Sequence, residues 1–176
     1  MHPQNYTIIT ESGMDFKCES ENLFHIEKSE LYATLSNVKT VEFLLLRNRT
    51  PEEVWLVEAK SSAPNPKNKI DFDKYKNDIF DKITCSLAFY FSLHLGRFKT
   101  APQCLPKKFQ QLDIAAVNFK FIVIIRRQEK NWIKDLQDAL LPMFTKIANS
   151  YNLKAPYLAV LNAEMAKQRD IISRHI

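Results

Sequence analysis

The chain has 176 residues, a net charge of +5, 45% hydrophobic and 26% charged residues, the mixture of one folded domain spanning residues 1–176. Only two residues are glycine, Gly13 and Gly96, so neither a GxGxxG nor a GxxxxGK[ST] phosphate loop can be written, and dinucleotide and P-loop enzymes are excluded. Cys18, Cys85 and Cys104 are too few and too scattered for a disulfide framework or a zinc knuckle.

The predicted elements run as follows. Leu23–Glu27 reads as a short strand or irregular lead-in, and Ser29 as the N-cap of a short helix through Leu35. Val41–Leu46 and Val54–Lys60 are strand-like apolar runs. The polar Arg47–Glu52 segment between them, which contains Pro51, makes a hairpin the simplest link. From Asp71 to Leu95, Tyr75, Ile79, Ile83, Leu87, Tyr90 and Leu93 recur at helical spacing, with Gly96 as the stop. A loop with Pro102 and Pro106 follows. Val117–Ile125 is nearly continuously apolar, as a strand covered on both faces must be. Trp132, Ile133, Leu136, Leu140, Phe144 and Ile147 form a second helical stripe, with Pro142 kinking or dividing it. Tyr157–Leu161 reads as a last strand and Ala163–Ile172 as a last helix. The order predicts an α/β fold with a mixed central sheet flanked by helices.

Chemistry concentrates at Glu58-Ala59-Lys60. Chance alone gives about two [DE]xK triplets in such a composition, and two are present, the other being Asp15-Phe16-Lys17. Setting separates them. Alternation along a strand places Glu58 and Lys60 on one face with Val54 and Leu56, while Trp55, Val57 and Ala59 take the other. A hairpin symmetric about Thr50 opposes residues whose numbers sum to 100, which sets Glu42 across from Glu58 on that face. Two facing carboxylates repel and lose hydration, and a divalent cation between them converts that cost into binding.

An acid on one strand, a turn, ExK on the next, then a helix and further strands: this order resembles the PD-(D/E)xK nuclease superfamily, over roughly Glu27 to Ile125. The resemblance implies a restriction-endonuclease-like fold and Mg²⁺- or Mn²⁺-dependent hydrolysis of phosphodiesters in DNA or RNA. It makes Glu42 and Glu58 metal ligands and Lys60 the catalytic lysine, so Glu42, Glu58 and Lys60 are the catalytic candidates. The family often adds an upstream acid, for which Glu27 comes first and Glu30 second. The usual Pro-Asp is replaced here by Val41-Glu42. The alternative is a non-catalytic nucleic-acid-binding or accessory module of the same fold, in a phage-defence or mobile-element setting.

Charge is divided along the chain. Residues 1–88 carry 11 basic and 14 acidic side chains, residues 89–176 carry 14 and 6. Lys107, Lys108, Arg126, Arg127, Lys130 and Lys134 form a basic belt suited to phosphate contact. Asp78, Asp81 and Lys82 lie on the helix after ExK and are candidates to face the site. His2, His25, His94 and His175 have no nucleophile-like neighbours in sequence. A cytoplasmic protein is expected, without a membrane span and with nucleic acid as partner; sequence-specific cutting then needs a homodimer or partner subunit.

Overall fold

The structure, a computed structural model, describes residues 5–99 and 104–172. It is mixed α/β, with a five-stranded sheet, a separate two-stranded hairpin and four helices among the described residues. The hairpin is β1 (Tyr6–Glu11) and β2 (Met14–Glu19). The sheet contains β3 (Leu23–Phe24), β4 (Phe43–Arg47), β5 (Glu53–Lys60), β6 (Asn118–Ile125) and β7 (Leu158–Asn162), in that spatial order. Helix α1 (Lys69–His94) links β5 to β6, α2 (Lys107–Gln110) is a single turn before β6, α3 (Lys130–Ser150) links β6 to β7, and α4 (Ala163–Gln168) follows β7.

Strands β3, β4 and β5 pair antiparallel, while β5–β6 and β6–β7 are parallel, as helical crossovers require. The β4–β5 ladder pairs Phe43 with Val57 and Leu46 with Val54, which is the sum-to-100 register the hairpin symmetry predicts. β6 lies between β5 and β7, and its apolar run is buried on both sides.

Alternation along the strands divides two cores. Leu44, Leu46, Val54, Leu56, Phe119, Phe121 and Val123 pack against α1 and α3 through Ile79, Ile83, Leu87, Tyr90, Leu136, Leu140 and Phe144. Phe43, Leu45, Trp55, Val57, Ile122 and Ile124 pack against the hairpin through Ile9, Met14, Phe16 and Cys18. Helix α1 begins at an Asn68 cap accepting from the Asp71 N–H. It ends at Gly96 (φ +64°), where the Arg97 N–H reaches back to the Ser92 carbonyl.

Several expectations are corrected. The segment from Ser29 to Leu35 is no α-helix: one 3₁₀ turn, Tyr32–Thr34, stands there, and a second, Ile26–Lys28, precedes it. Too few residues are present to offset helix nucleation; the residue at the N-cap of the 3₁₀ turn is Leu31, and Ser29 Oγ only accepts from the Tyr32 N–H at 3.2 Å. The last helix stops at Gln168, because Asp170 turns to positive φ and returns Ile171 and Ile172 to the core. Pro142 does not divide α3. The N-terminal hairpin was absent from the sequence reading. Pro102, His2 and His175 lie outside the described residues.

Candidate functional site

Three elements bring carboxylates together on the α1 side of the sheet. Glu58 comes from near the C-terminal end of β5 and is 0% exposed. Glu42 stands immediately before β4, on the face of Leu44 and Leu46, and Glu27 comes from the first 3₁₀ turn. The lead-in to β4 is held by the Val41 N–H, which donates to Ser86 Oγ at 2.8 Å; that hydroxyl donates in turn to the Lys82 carbonyl at 2.7 Å. One buried serine on α1 thus ties the Glu42 backbone to the helical turn carrying Lys82.

Lys82 is the centre of the cluster. Its Nζ lies 3.0 Å from Glu58 Oε1, 3.3 Å from Glu58 Oε2, 3.7 Å from Glu27 Oε1 and 3.8 Å from Glu42 Oε1. Lys60 Nζ reaches Glu58 Oε1 at 2.9 Å and Asp78 Oδ2 at 3.4 Å, and Lys39 holds the other Asp78 oxygen at 2.8 Å. Glu58 Oε1 therefore sits between two ammonium groups, at 2.9 and 3.0 Å, so the charge of this fully buried carboxylate is met by Lys60 and Lys82.

The electrostatics follow from burial. Removal from water pushes the Glu42 carboxyl up to about 8; the Glu58 and Glu27 charges push the same way, and Lys82 only partly offsets them. Burial also raises Glu58, against the pull of Lys82 and Lys60. For Lys82, burial acts downward, but the carboxylates of Glu58, Glu42 and Glu27 outweigh it and raise the ammonium above its ordinary value. Asp78 is shifted downward: the pull of Lys39 and Lys60 exceeds the effect of its burial. Tyr75 is raised by burial and by the Glu58 and Asp78 charges.

The structure thus brings together Glu27, Glu42, Glu58 and Lys60, and adds Asp78 and Lys82 from α1. Glu30 is exposed and stays outside. Asp81 is exposed and lines, with Lys39, Pro64, Lys74, Tyr75 and Asp78, a groove of about 720 Å³ beside the cluster. The basic belt splits. Lys108 is bound to Asn22, Glu21 and Glu19, whereas the Arg126 and Arg127 N–H groups donate to the Lys60 and Ser61 carbonyls, placing both arginines at the ExK end of the sheet.

The bridging role of Lys82 was not read from the sequence, although a signal existed. Asp78 and Lys82 each precede a buried stripe residue of α1 (Ile79, Ile83), so they occupy its border with solvent, and Ser86, which precedes Leu87, is itself buried.

Carboxylates are hard oxygen donors of the kind Mg²⁺ and Mn²⁺ take. Among the described residues, no three His, Cys, Asp or Glu side chains converge closely enough to hold an ion as they stand. The desolvated Glu58 carboxylate, with Glu42 and Glu27 grouped around the same Lys82 ammonium, is an oxygen donor set that already holds one cationic group and fits a cation chemically. No protein-family model matches the chain, and no curated protein or solved structure was found similar to it. No helix is long and apolar enough to cross a membrane among the described residues.

Proposed function

We propose that the chain is a metal-dependent nuclease-like domain of restriction-endonuclease-like fold that hydrolyses phosphodiester bonds in DNA or RNA. The observation that carries this reading is the placement of Glu58 and Lys60 at the end of a central strand, with Glu42 brought to the same face by the β4–β5 register. Glu42 and Glu58, with Glu27 beside them, are the residues that would hold Mg²⁺ or Mn²⁺. A bound divalent cation supplies positive charge to the phosphate and acidifies water. Lys60, steadied by Asp78, offers its ammonium where negative charge develops on the attacked phosphate. The exposed Arg126 and Arg127 at the same end of the sheet give the nucleic-acid backbone a salt-sensitive handhold.

Lys60→Met tests this directly. It keeps the aliphatic stem and removes the charge, so cleavage of single- and double-stranded DNA and RNA in Mg²⁺ or Mn²⁺ should fall about 10²–10³-fold while Mn²⁺ still binds. Cleavage at the wild-type rate by the variant would overturn the role given to Lys60. The second reading, a non-catalytic module, is favoured by the Lys82 ammonium standing among the carboxylates. Wild-type protein that binds nucleic acid and cuts none of these substrates in either metal would decide for it.

A further inference from the structure

An ammonium inside a carboxylate cluster is a cation in its own right. We propose that Lys82 is the resident counter-ion of the Glu27–Glu42–Glu58 cluster, and that a divalent cation binds only by displacing it. This rests on the metal-binding reading above and adds to it a lysine that the ExK resemblance does not assign.

Distance is the first argument. The four contacts of Lys82 Nζ span 3.0 to 3.8 Å, the spacing of an ammonium among carboxylates. Mg²⁺ takes its oxygens at about 2.0–2.1 Å, so the carboxylates must close inward by an ångström or more, onto the volume Nζ now fills. The second argument is that the placement is built. Ser86 links the Lys82 carbonyl to the Val41 N–H, so the helical turn that carries the ammonium and the lead-in that carries Glu42 are fixed to each other. The third is the state of Glu58. Its carboxylate is fully removed from water and its charge is met by the Lys82 and Lys60 ammonium groups, so a cation entering the cluster competes with them for the same oxygens.

The experiment is a calorimetric titration of the full chain, stripped with chelator, with MnCl₂. Wild type is compared with Lys82→Met, Lys82→Gln and, as a control, Lys76→Met, a half-buried lysine of the same helix that pairs with Asp73 instead of the cluster. Losing the competing charge should tighten Mn²⁺ binding at least about tenfold in both Lys82 variants, and Lys76→Met should stay within about twofold of wild type. Metal-free Lys82→Met should melt earlier than wild type, and Mn²⁺ should restore more of its melting temperature than it adds to wild type. Lys82→Gln keeps a polar tip among the carboxylates and serves if the methionine variant aggregates. Equal or weaker Mn²⁺ binding by the Lys82 variants would overturn the assignment while leaving the nuclease reading in place. Tighter binding with no cleavage by any of the proteins would end the nuclease reading and leave the counter-ion standing. No Mn²⁺ binding by any of them would remove both.

Discussion

Glu42→Gln isolates the electrostatic cost of the cluster. Burial and the neighbouring acids raise the Glu42 carboxyl from 4.5 to about 8 in the folded chain. Between those values the folded state keeps a proton that the unfolded state releases, so stability falls as pH rises. The contribution is fully present below about 4.5 and lost as pH passes through about 8. At about 1.4 kcal/mol per pH unit the full span sets a ceiling near ~5 kcal/mol, and residual hydration brings the expected effect to about 2–3 kcal/mol. Glutamine has nearly the same shape and cannot ionise. In urea unfolding followed by Trp55 and Trp132 fluorescence, with chelator present, the variant should match wild type at pH 5. It should exceed wild type by about 2–3 kcal/mol at pH 9. Groups shifted the other way, Asp78, His25 and His94, act on both proteins and cancel in the difference. Glu58, also raised, gains from the lost repulsion in the same direction. Stability–pH curves that run parallel for the two proteins would refute the reasoning.

Ser86→Ala should cost about 1–3 kcal/mol in urea unfolding, because the buried Val41 N–H loses its acceptor; an unchanged midpoint would show that the β4 lead-in finds another partner. Gly13→Ala should destabilise more than Gly96→Ala in the same assay. Both sit at positive φ and carry the left-handed cost of about 1 kcal/mol, but only at Gly13 would the new Cβ meet a side chain, at 2.3 Å from Arg126 Nη1. Equal losses at the two glycines would mean that the Arg126 guanidinium yields freely.

The central architecture was legible because its signals are long and mutually consistent. The β4–β5 register followed from two apolar runs around a polar proline-bearing turn, since a one-residue slip would have turned Glu58 away from Glu42. The α1 stripe and its Gly96 stop, and the covered strand β6, were equally plain. The N-terminal hairpin was also written in the chain: Met14, Phe16 and Cys18 alternate after Ser12-Gly13, and both turn residues have positive φ. Only one residue of β1, Ile9, is buried, so its pattern is half missing. Lys82 was harder. Periodicity names the buried side of a helix, but how far that helix is rotated over the sheet decides which border residue meets Glu58, and rotation is set by packing.

The hairpin side of the sheet has a consequence for how the chain comes together. Ile9, Met14 and Phe16 share their core with Leu161, Ala166, Ile171 and Ile172, so the hairpin waits for segments far later in the chain. During synthesis the β1–β2 pair, with Ile8 already 64% exposed on its outer side, has nothing to lie against until β4, β5 and β6 have formed their sheet. Contacts so distant along the chain pay loop-closure entropy late and slow the final step. The carboxylate–lysine cluster lies on the opposite, helical side of the sheet, so its assembly does not depend on the hairpin's docking surface.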